Sequence, residues 1–118
     1  MPGQLRCGAI VWTEIADANG IRKVRPAVVI TTDDQISAVD LLEVVAITSF
    51  LPDPLPDDYV LLPWHAQGHP RTGLNRESAA VCSWMAMITP QDVQNVVGQV
   101  PGPIFSIIVS KLPGRQTP

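Results

Sequence analysis

Short apolar runs recur along the chain, and polar or proline-containing segments separate them. Two of these runs, in Lys23–Thr32 and Glu43–Phe50, consist mainly of Val, Ile and Ala and are too short for a helix. They predict two buried β-strands. Pro26 is compatible with the start of a strand but not with its middle, and it holds Arg25 in an extended conformation. The polar segment Asp33–Asp40 predicts a hairpin connection, with room for a short helical turn.

An antiparallel pairing of these two strands around that connection has a definite register. The predicted pairs are Thr31 with Leu42, Val29 with Val44, and Ala27 with Ala46. Because side chains alternate with a period of two, the same register brings Arg25 opposite Thr48 on one face. A guanidinium and a hydroxyl would then meet at the open end of an apolar hairpin, as in a functional site. A purely structural role stays open, since arginine before a strand is commonly solvated and threonine favours strands.

The other apolar segments predict further short elements. Strands are expected at Cys7–Ile15, Tyr59–Leu62 and Ser78–Ile88. Thr89, followed by Pro90 and Asp92, has the pattern of a helix N-cap and predicts a helix that ends near Gly98. The segment Ile104–Leu112 fits either a helix or a strand. Short elements and 12 prolines in 118 residues favour a small all-β barrel over a helical bundle.

Length and composition set the size and class of the protein. A chain of 118 residues supports one hydrophobic core, so we expect a single domain over 1–118, with its core at 7–112 and a frayed tail at 113–118. An apolar fraction of 46% with 16% charged residues excludes a disordered chain or a coiled coil. The net charge of −3 means that binding to nucleic acid would depend on a local basic cluster, such as Arg22, Lys23 and Arg25.

The chain also carries information about its compartment. No apolar run approaches the ~18 residues that a membrane-spanning helix requires, and the N-terminus lacks the apolar segment of a secretory signal. We therefore expect a cytoplasmic protein that does not contact a membrane. Cys7 and Cys82 follow no metal-binding spacing and are expected to be reduced and buried, although a disulfide between them stays open.

Four motifs carry a family resemblance: GAIVW, RPAVVI, VVAITS and RTGLNRES, the last followed by an apolar strand. In this order they cover about Gly8 to Leu112 and resemble the MazF/PemK family of toxin endoribonucleases. The resemblance implies a mainly β fold, namely a small SH3-like antiparallel barrel of the CcdB/MazF type with one or two short helices near the C-terminus. It also favours a helix for Ile104–Leu112.

The resemblance implies a function and a site. The expected activity is that of an mRNA interferase, a sequence-selective endoribonuclease toxin that cleaves single-stranded RNA. The family's catalytic pair is the arginine directly before the proline and the threonine that closes the next strand, which are Arg25 and Thr48 here. Arg22, Lys23 and Ser49 are the expected RNA-binding residues. The expected partners are single-stranded RNA, a cognate antitoxin protein and a second copy of the chain in a two-fold homodimer.

No metal and no cofactor is expected. The acidic residues of the hairpin connection have no matching further ligand, which is typical of a solvated turn. His65 and His69 are four residues apart, but the glycine and proline around them make a helix, and hence a zinc pair, implausible. A role for one of them as a proton shuttle is an alternative. We expect the 2′-hydroxyl of the RNA to attack the adjacent phosphorus and leave a 2′,3′-cyclic phosphate.

The chain departs from the family pattern at several positions. No acidic residue lies close before Arg25, position 50 is Phe50, and Ser83 and Trp84 stand where members often have polar residues that touch RNA. Trp12 is interpreted as a core or interface aromatic rather than a base-stacking surface. Two alternatives therefore stay open, a non-catalytic CcdB-like toxin that acts on DNA gyrase and a degenerate, inactive interaction module.

Overall fold

In the residues that the computed structural model describes, 4–38 and 40–113, six antiparallel strands form one sheet. The strands are β1 (Ala9–Ala16), β2 (Arg22–Val29), β3 (Leu42–Thr48), β4 (Tyr59–Leu62), β5 (Ser78–Ile88) and β6 (Asn95–Gln99). Their order across the sheet is β4-β5-β3-β2-β1-β6. The described part also contains two helices and a 3-10 turn: α1 (Asp33–Ile36), α2 (Gly102–Ser110) and Pro90–Asp92. The prediction of a mainly β antiparallel fold is confirmed, with β4 and β6 as the two edges of a sheet whose barrel is not closed by pairing between them.

The pairing of β2 with β3 has the predicted register. The pairs Val29–Val44 and Ala27–Ala46 are both present. The β2–β3 ladder ends at Ala27 and Ala46 and does not reach the predicted last pair, while each strand stays paired with its other neighbour. Arg25 pairs with Thr13 of β1, and Thr48 pairs with Ala79 of β5. The register therefore brings Arg25 and Thr48 to the same end of the hairpin, where the two strands begin to separate.

Both faces of the sheet are covered, which explains why the strand sequences are unbroken apolar runs. One face, which we call the tryptophan face, buries alternate residues of the central strands: Val11, Ala27, Val29, Val44 and Ala46. Trp84 packs against this group. The opposite face, which we call the helix face, buries the intervening residues: Ile10, Val28, Val45 and Ile47. Ile108 of α2 is fully buried against them.

Strand β5 is interrupted by a bulge that its sequence did not reveal. Val45 pairs with Met85, and Ile47 pairs with Ala80. An advance of two residues along β3 therefore corresponds to five residues along β5. Asp58 binds the bulge, since its backbone carbonyl accepts a hydrogen bond from the backbone N–H of residue 82 at 2.8 Å. Its carboxylate also accepts a hydrogen bond from the Ser83 hydroxyl. Bulges redirect side chains from the regular alternation of a strand.

The helix predicted from Thr89 to Gly98 is wrong. The capping box does form, because the Asp92 carboxylate accepts a hydrogen bond from the Thr89 backbone N–H at 2.9 Å. It caps only the 3-10 turn, after which the chain continues as β6 and pairs with β1. The valines of this segment favour a strand, and the edge of β1 supplies hydrogen-bond partners that a local pattern does not show.

Other predicted bounds hold more closely. Strands β4 and β5 have the predicted limits. The segment 104–112, for which helix and strand were both open, belongs to helix α2 as far as Ser110. The first strand begins at Ala9 rather than Cys7, because Gly8 has a positive φ of 85°. Of the predicted tail at 113–118, residues 114–118 lie outside the described residues.

The two cysteines are not joined by a disulfide in the described residues. Cys82 is buried as predicted, whereas Cys7 is only half-buried. Burial raises the pKa of both thiols above the ordinary value, so neither is activated as a thiolate.

We expect Gly98→Ala to lower the free energy of unfolding by about 1–3 kcal/mol. A Cβ atom at Gly98 would overlap the backbone carbonyl of Thr72, in the loop that packs against β6. Urea denaturation measures the change. Gly102→Ala is the matched control, since a Cβ there meets nothing within 4 Å, and it should leave stability unchanged or slightly higher. Equal stability of the two variants would contradict this packing.

Candidate active site

An open cavity of about 540 Å³ lies where β2 and β3 separate. Three of the residues predicted for the site line it: Arg25, Thr48 and Ser49. The loop before β5 contributes Asn75 and Arg76 to the same lining. The other two predicted residues, Arg22 and Lys23, lie outside this lining. The structure therefore brings the expected catalytic pair to one cavity and leaves part of the basic cluster beside it.

Arg25 is held from several directions. Its Nε donates a hydrogen bond to the carbonyl oxygen of Ile15 at 3.3 Å. Its Nη2 lies 3.9 Å from a carboxylate oxygen of Asp17. The guanidinium carbon lies 4.9 Å from the ring centroid of Trp84. With a side chain only 22% exposed, Arg25 is a partly buried cation with a restricted orientation.

Asp17 supplies the carboxylate that the sequence analysis did not find near Arg25. It begins the turn between β1 and β2, where one of its oxygens accepts hydrogen bonds from the backbone N–H groups of Asn19 at 2.9 Å and Ile21 at 3.0 Å. These bonds form an Asx turn and leave the other oxygen facing Arg25. The only signal in the sequence was the turn pattern itself, which does not show that the turn folds back toward β2.

Thr48 ends β3 as a half-buried residue that lines the cavity. Its oxygen accepts a hydrogen bond from the backbone N–H of Phe50 at 3.1 Å. A threonine hydroxyl that accepts a bond can also donate its own hydrogen. Thr48 can therefore donate to an anionic group in the cavity while Phe50 fixes its orientation. Ser49 follows it as an exposed residue on the same wall.

Arg22 and Lys23 are the exposed basic residues beside the cavity. Arg22 forms an ion pair with Glu14 across β1 and β2, with Nε 2.7 Å from the carboxylate oxygen. Both side chains are more than half exposed, and such a pair contributes only about 0–1 kcal/mol to stability. Lys23 is exposed next to it. A phosphate could therefore compete for Arg22 at little cost.

The cavity is also lined by Trp12, whose side chain is 36% exposed. Trp12 was expected to be a core or interface aromatic; its exposure shows that it is not part of the core, and the interface alternative stays a prediction. An exposed indole at a cavity is suited to stacking on a planar group such as a nucleobase.

Comparison with protein families decides the class of this molecule. The family described as the PemK-like, MazF-like toxin of type II toxin–antitoxin systems matches residues 6–113. The chain belongs to this family. A comparison with curated proteins found no significant match.

Solved structures share the fold of this PemK/MazF toxin. A MazE-MazF structure from Deinococcus radiodurans is 18% identical, with 91% of both chains covered and a TM-score of 0.68. The Mycobacterium tuberculosis toxin MazF-mt6 is 17% identical, with 88% of this chain and 91% of that chain covered and a TM-score of 0.69. An endoribonuclease in complex with its cognate antitoxin, from mycobacterial species, is 14% identical, with 98% and 100% covered and a TM-score of 0.68.

The loop before β5 differs from the sequence-based expectation in two ways. Asn75 and Arg76 belong to the RTGLNRES motif, and both line the cavity although neither was among the expected site residues. His65 and His69 do not line it. The Nδ1 atom of each accepts hydrogen bonds from backbone N–H groups of the loop, so both imidazoles serve the turn conformation.

Two further observations concern metals and membranes. Within the described ranges 4–38 and 40–113, no three His, Cys, Asp or Glu side chains cluster closely enough to hold a metal ion. In the acidic connection, Asp33 is already engaged, since its carboxylate accepts a hydrogen bond from the Cys7 backbone N–H at 2.7 Å. No described helix is both long enough and apolar enough to cross a membrane.

We expect His69→Ala to lower the free energy of unfolding by about 1–2 kcal/mol, because it leaves two backbone N–H groups without their acceptor. Thermal or urea unfolding measures the loss. His65→Ala is the matched control and should cost less, since the exposed His65 accepts one such bond. The proton-shuttle alternative predicts the reverse, a loss of enzymatic activity with stability unchanged.

Proposed function

We propose that this endoribonuclease toxin cleaves single-stranded RNA at the cavity between β2 and β3, with sequence selectivity and without a metal ion. Endoribonuclease activity is the activity of the toxin family to which the chain belongs. The observation that carries the proposal is the meeting of Arg25 and Thr48 at one cavity large enough to admit a nucleotide. The exposed Trp12 and the polar Asn75 give that cavity surfaces on which a base can stack and form hydrogen bonds.

The proposed reaction is an internal transfer at phosphorus. The ribose 2′-oxygen loses its proton and forms a bond to the adjacent phosphorus, while the bond from phosphorus to the 5′-oxygen breaks and that oxygen gains a proton. The products are a 2′,3′-cyclic phosphate and a 5′-hydroxyl. RNA supplies its own nucleophile in this chemistry, so no metal-bound water is required.

Arg25 and Thr48 have the chemistry that the transition state needs. Negative charge increases on the phosphoryl oxygens as the phosphorus becomes five-coordinate, and oriented donors stabilise it. A guanidinium can donate to two oxygens at once, which an ammonium cannot reproduce. The Thr48 hydroxyl supplies a further donor while its oxygen is held by Phe50. Arg22, Lys23 and Ser49 are assigned to binding the flanking RNA, together with Arg76 of the cavity lining.

The proposed partners follow from the family and the surface. Two of the solved structures that share this fold are described as toxin–antitoxin complexes, so we infer a cognate antitoxin for this chain too. Exposed apolar side chains on β5 and α2, Met87 at 56% and Ile107 at 47%, support a homodimer. Toxins of this kind act on cellular RNA, so the proposed location is the cytoplasm.

Incubation of the purified protein with a long single-stranded RNA in EDTA tests the proposal. We expect discrete fragments, because the reaction uses no metal and the cavity selects particular bases. A parallel assay of DNA gyrase supercoiling separates the CcdB-like alternative. Intact RNA together with gyrase inhibition would contradict the proposal, and intact RNA without gyrase inhibition would favour an inactive module.

We expect Arg25→Ala to reduce kcat by roughly 10²–10³-fold, because it removes a charged donor of the transition state. Thr48→Ala should reduce kcat somewhat less than this. Arg25→Lys should not restore kcat, because lysine cannot reproduce the bidentate geometry. Single-turnover cleavage with excess enzyme measures these rates. Arg6→Ala is the matched control, an exposed arginine outside the cavity. Near wild-type activity of Arg25→Lys would contradict the assigned role.

Lys23→Ala and Arg76→Ala should weaken RNA binding several-fold and leave kcat almost unchanged. Each removes a contact to phosphate, so the slope of log K against log[salt] should fall by about 0.7 per variant. Binding of a non-cleavable RNA at several salt concentrations measures the slope. Lys111→Ala, an exposed lysine after α2, is the control. An unchanged slope in both variants would show that neither residue contacts an RNA phosphate.

A further inference from the structure

Trp84 lies directly under the guanidinium of Arg25 without being part of the cavity lining. The guanidinium carbon is 4.9 Å from the ring centroid, which is within the range of a cation–π contact. The indole Nε1 donates a hydrogen bond to the carbonyl oxygen of Ala16 at 3.0 Å. The carbonyl of the preceding residue, Ile15, accepts the bond from Arg25 Nε at 3.3 Å. The ring and the guanidinium are therefore bound to two consecutive peptide groups at the end of β1.

The bulge in β5 places the ring there. Trp84 is the residue before Met85, at which regular pairing with β3 resumes. The bulge is fixed from outside by Asp58, which binds the backbone N–H of residue 82 and the hydroxyl of Ser83. Trp84 also packs against the buried residues of the tryptophan face, so its orientation is set by the core and not by a ligand.

This arrangement restricts the arginine in a way that the other contacts do not. The bond to Ile15 fixes one nitrogen, and Asp17 at 3.9 Å contributes a charge without a close hydrogen bond. Neither contact alone fixes the orientation of the guanidinium, and the ring on which it lies restricts its remaining movement. A misplacement of about 1 Å at a reacting centre can reduce a rate by about 10²-fold.

We propose that Trp84 is a positioning residue for RNA cleavage, which holds the plane of the Arg25 guanidinium toward the scissile phosphate. This inference rests on the proposed function, in which Arg25 contacts the phosphoryl oxygens. Trp84 itself does not touch RNA. Its loss therefore lowers kcat and leaves the affinity for RNA unchanged.

Two substitutions separate the ring face from the N–H group. Trp84→Leu keeps apolar volume on the tryptophan face of the sheet but removes the aromatic ring. We expect kcat to fall by about 10–100-fold and the Kd for non-cleavable RNA to stay unchanged. Trp84→Phe keeps the face and loses only the bond to Ala16, so it should recover most of kcat. Trp64→Leu is the matched control, since Trp64 is 44% exposed and outside the cavity.

A double-mutant cycle with Arg25→Ala decides between positioning and a general structural role. If Trp84 acts through Arg25, Trp84→Leu causes no further loss of kcat in the Arg25→Ala background. Single-turnover rates with excess enzyme keep the residual activity measurable, and the cycle is repeated with Trp84→Met, which also lacks the aromatic ring, if Trp84→Leu does not fold. Equal losses in both backgrounds, or a weaker Kd with kcat unchanged, would overturn the inference. Wild-type kcat in Arg25→Ala would instead overturn the proposed function, so the two failures are distinguishable.

Discussion

The register of the β2–β3 hairpin is the constraint on which the rest of the structure depends. Both faces of these strands are buried, so a slip of one residue would exchange the two cores and move Arg25 to the helix face. The alanines at the last pair, Ala27 and Ala46, are fully buried and small. Beyond this pair β2 and β3 are no longer paired with each other, although β2 stays paired with β1 and β3 with β5. The cavity forms at that point of separation.

The same constraint accounts for the environment of Arg25. A cation that is partly removed from water needs compensating contacts, and three elements supply them. The end of β1 provides a carbonyl, the following turn provides a carboxylate, and the bulge in β5 provides an aromatic face. None of these groups belongs to the cavity lining, so they hold the arginine from behind and leave the cavity side for a ligand.

Much of the fold could be predicted from the sequence, because its signals are local. The runs of Val, Ile and Ala gave the central strands and their register, and the order of four motifs gave the family. The predicted helix from Thr89 failed because its capping box is a local signal, whereas β6 forms on the edge of β1. The bulge in β5 could not be predicted, since it depends on Asp58, which is distant in the chain.

The candidate site could be predicted only in part. Arg25 and Thr48 follow from the register together with the family motif, but their surroundings do not. Asp17 and Trp84 reach Arg25 through a turn and a bulge, and a single sequence does not show contacts between residues so far apart. Arg76 was not among the expected site residues, because the sequence does not show that the loop which packs against β6 also lines the cavity.

Cleavage of a matched pair of substrates tests the central claim most directly. One is an RNA oligonucleotide that contains the preferred site, and the other differs only by a 2′-deoxyribose on the 5′ side of the scissile phosphate. The account predicts that both bind equally, that only the first is cut in EDTA, and that mass spectrometry finds a 2′,3′-cyclic phosphate on its product. Cleavage of the 2′-deoxy substrate would contradict it, because the nucleophile would then come from outside the RNA.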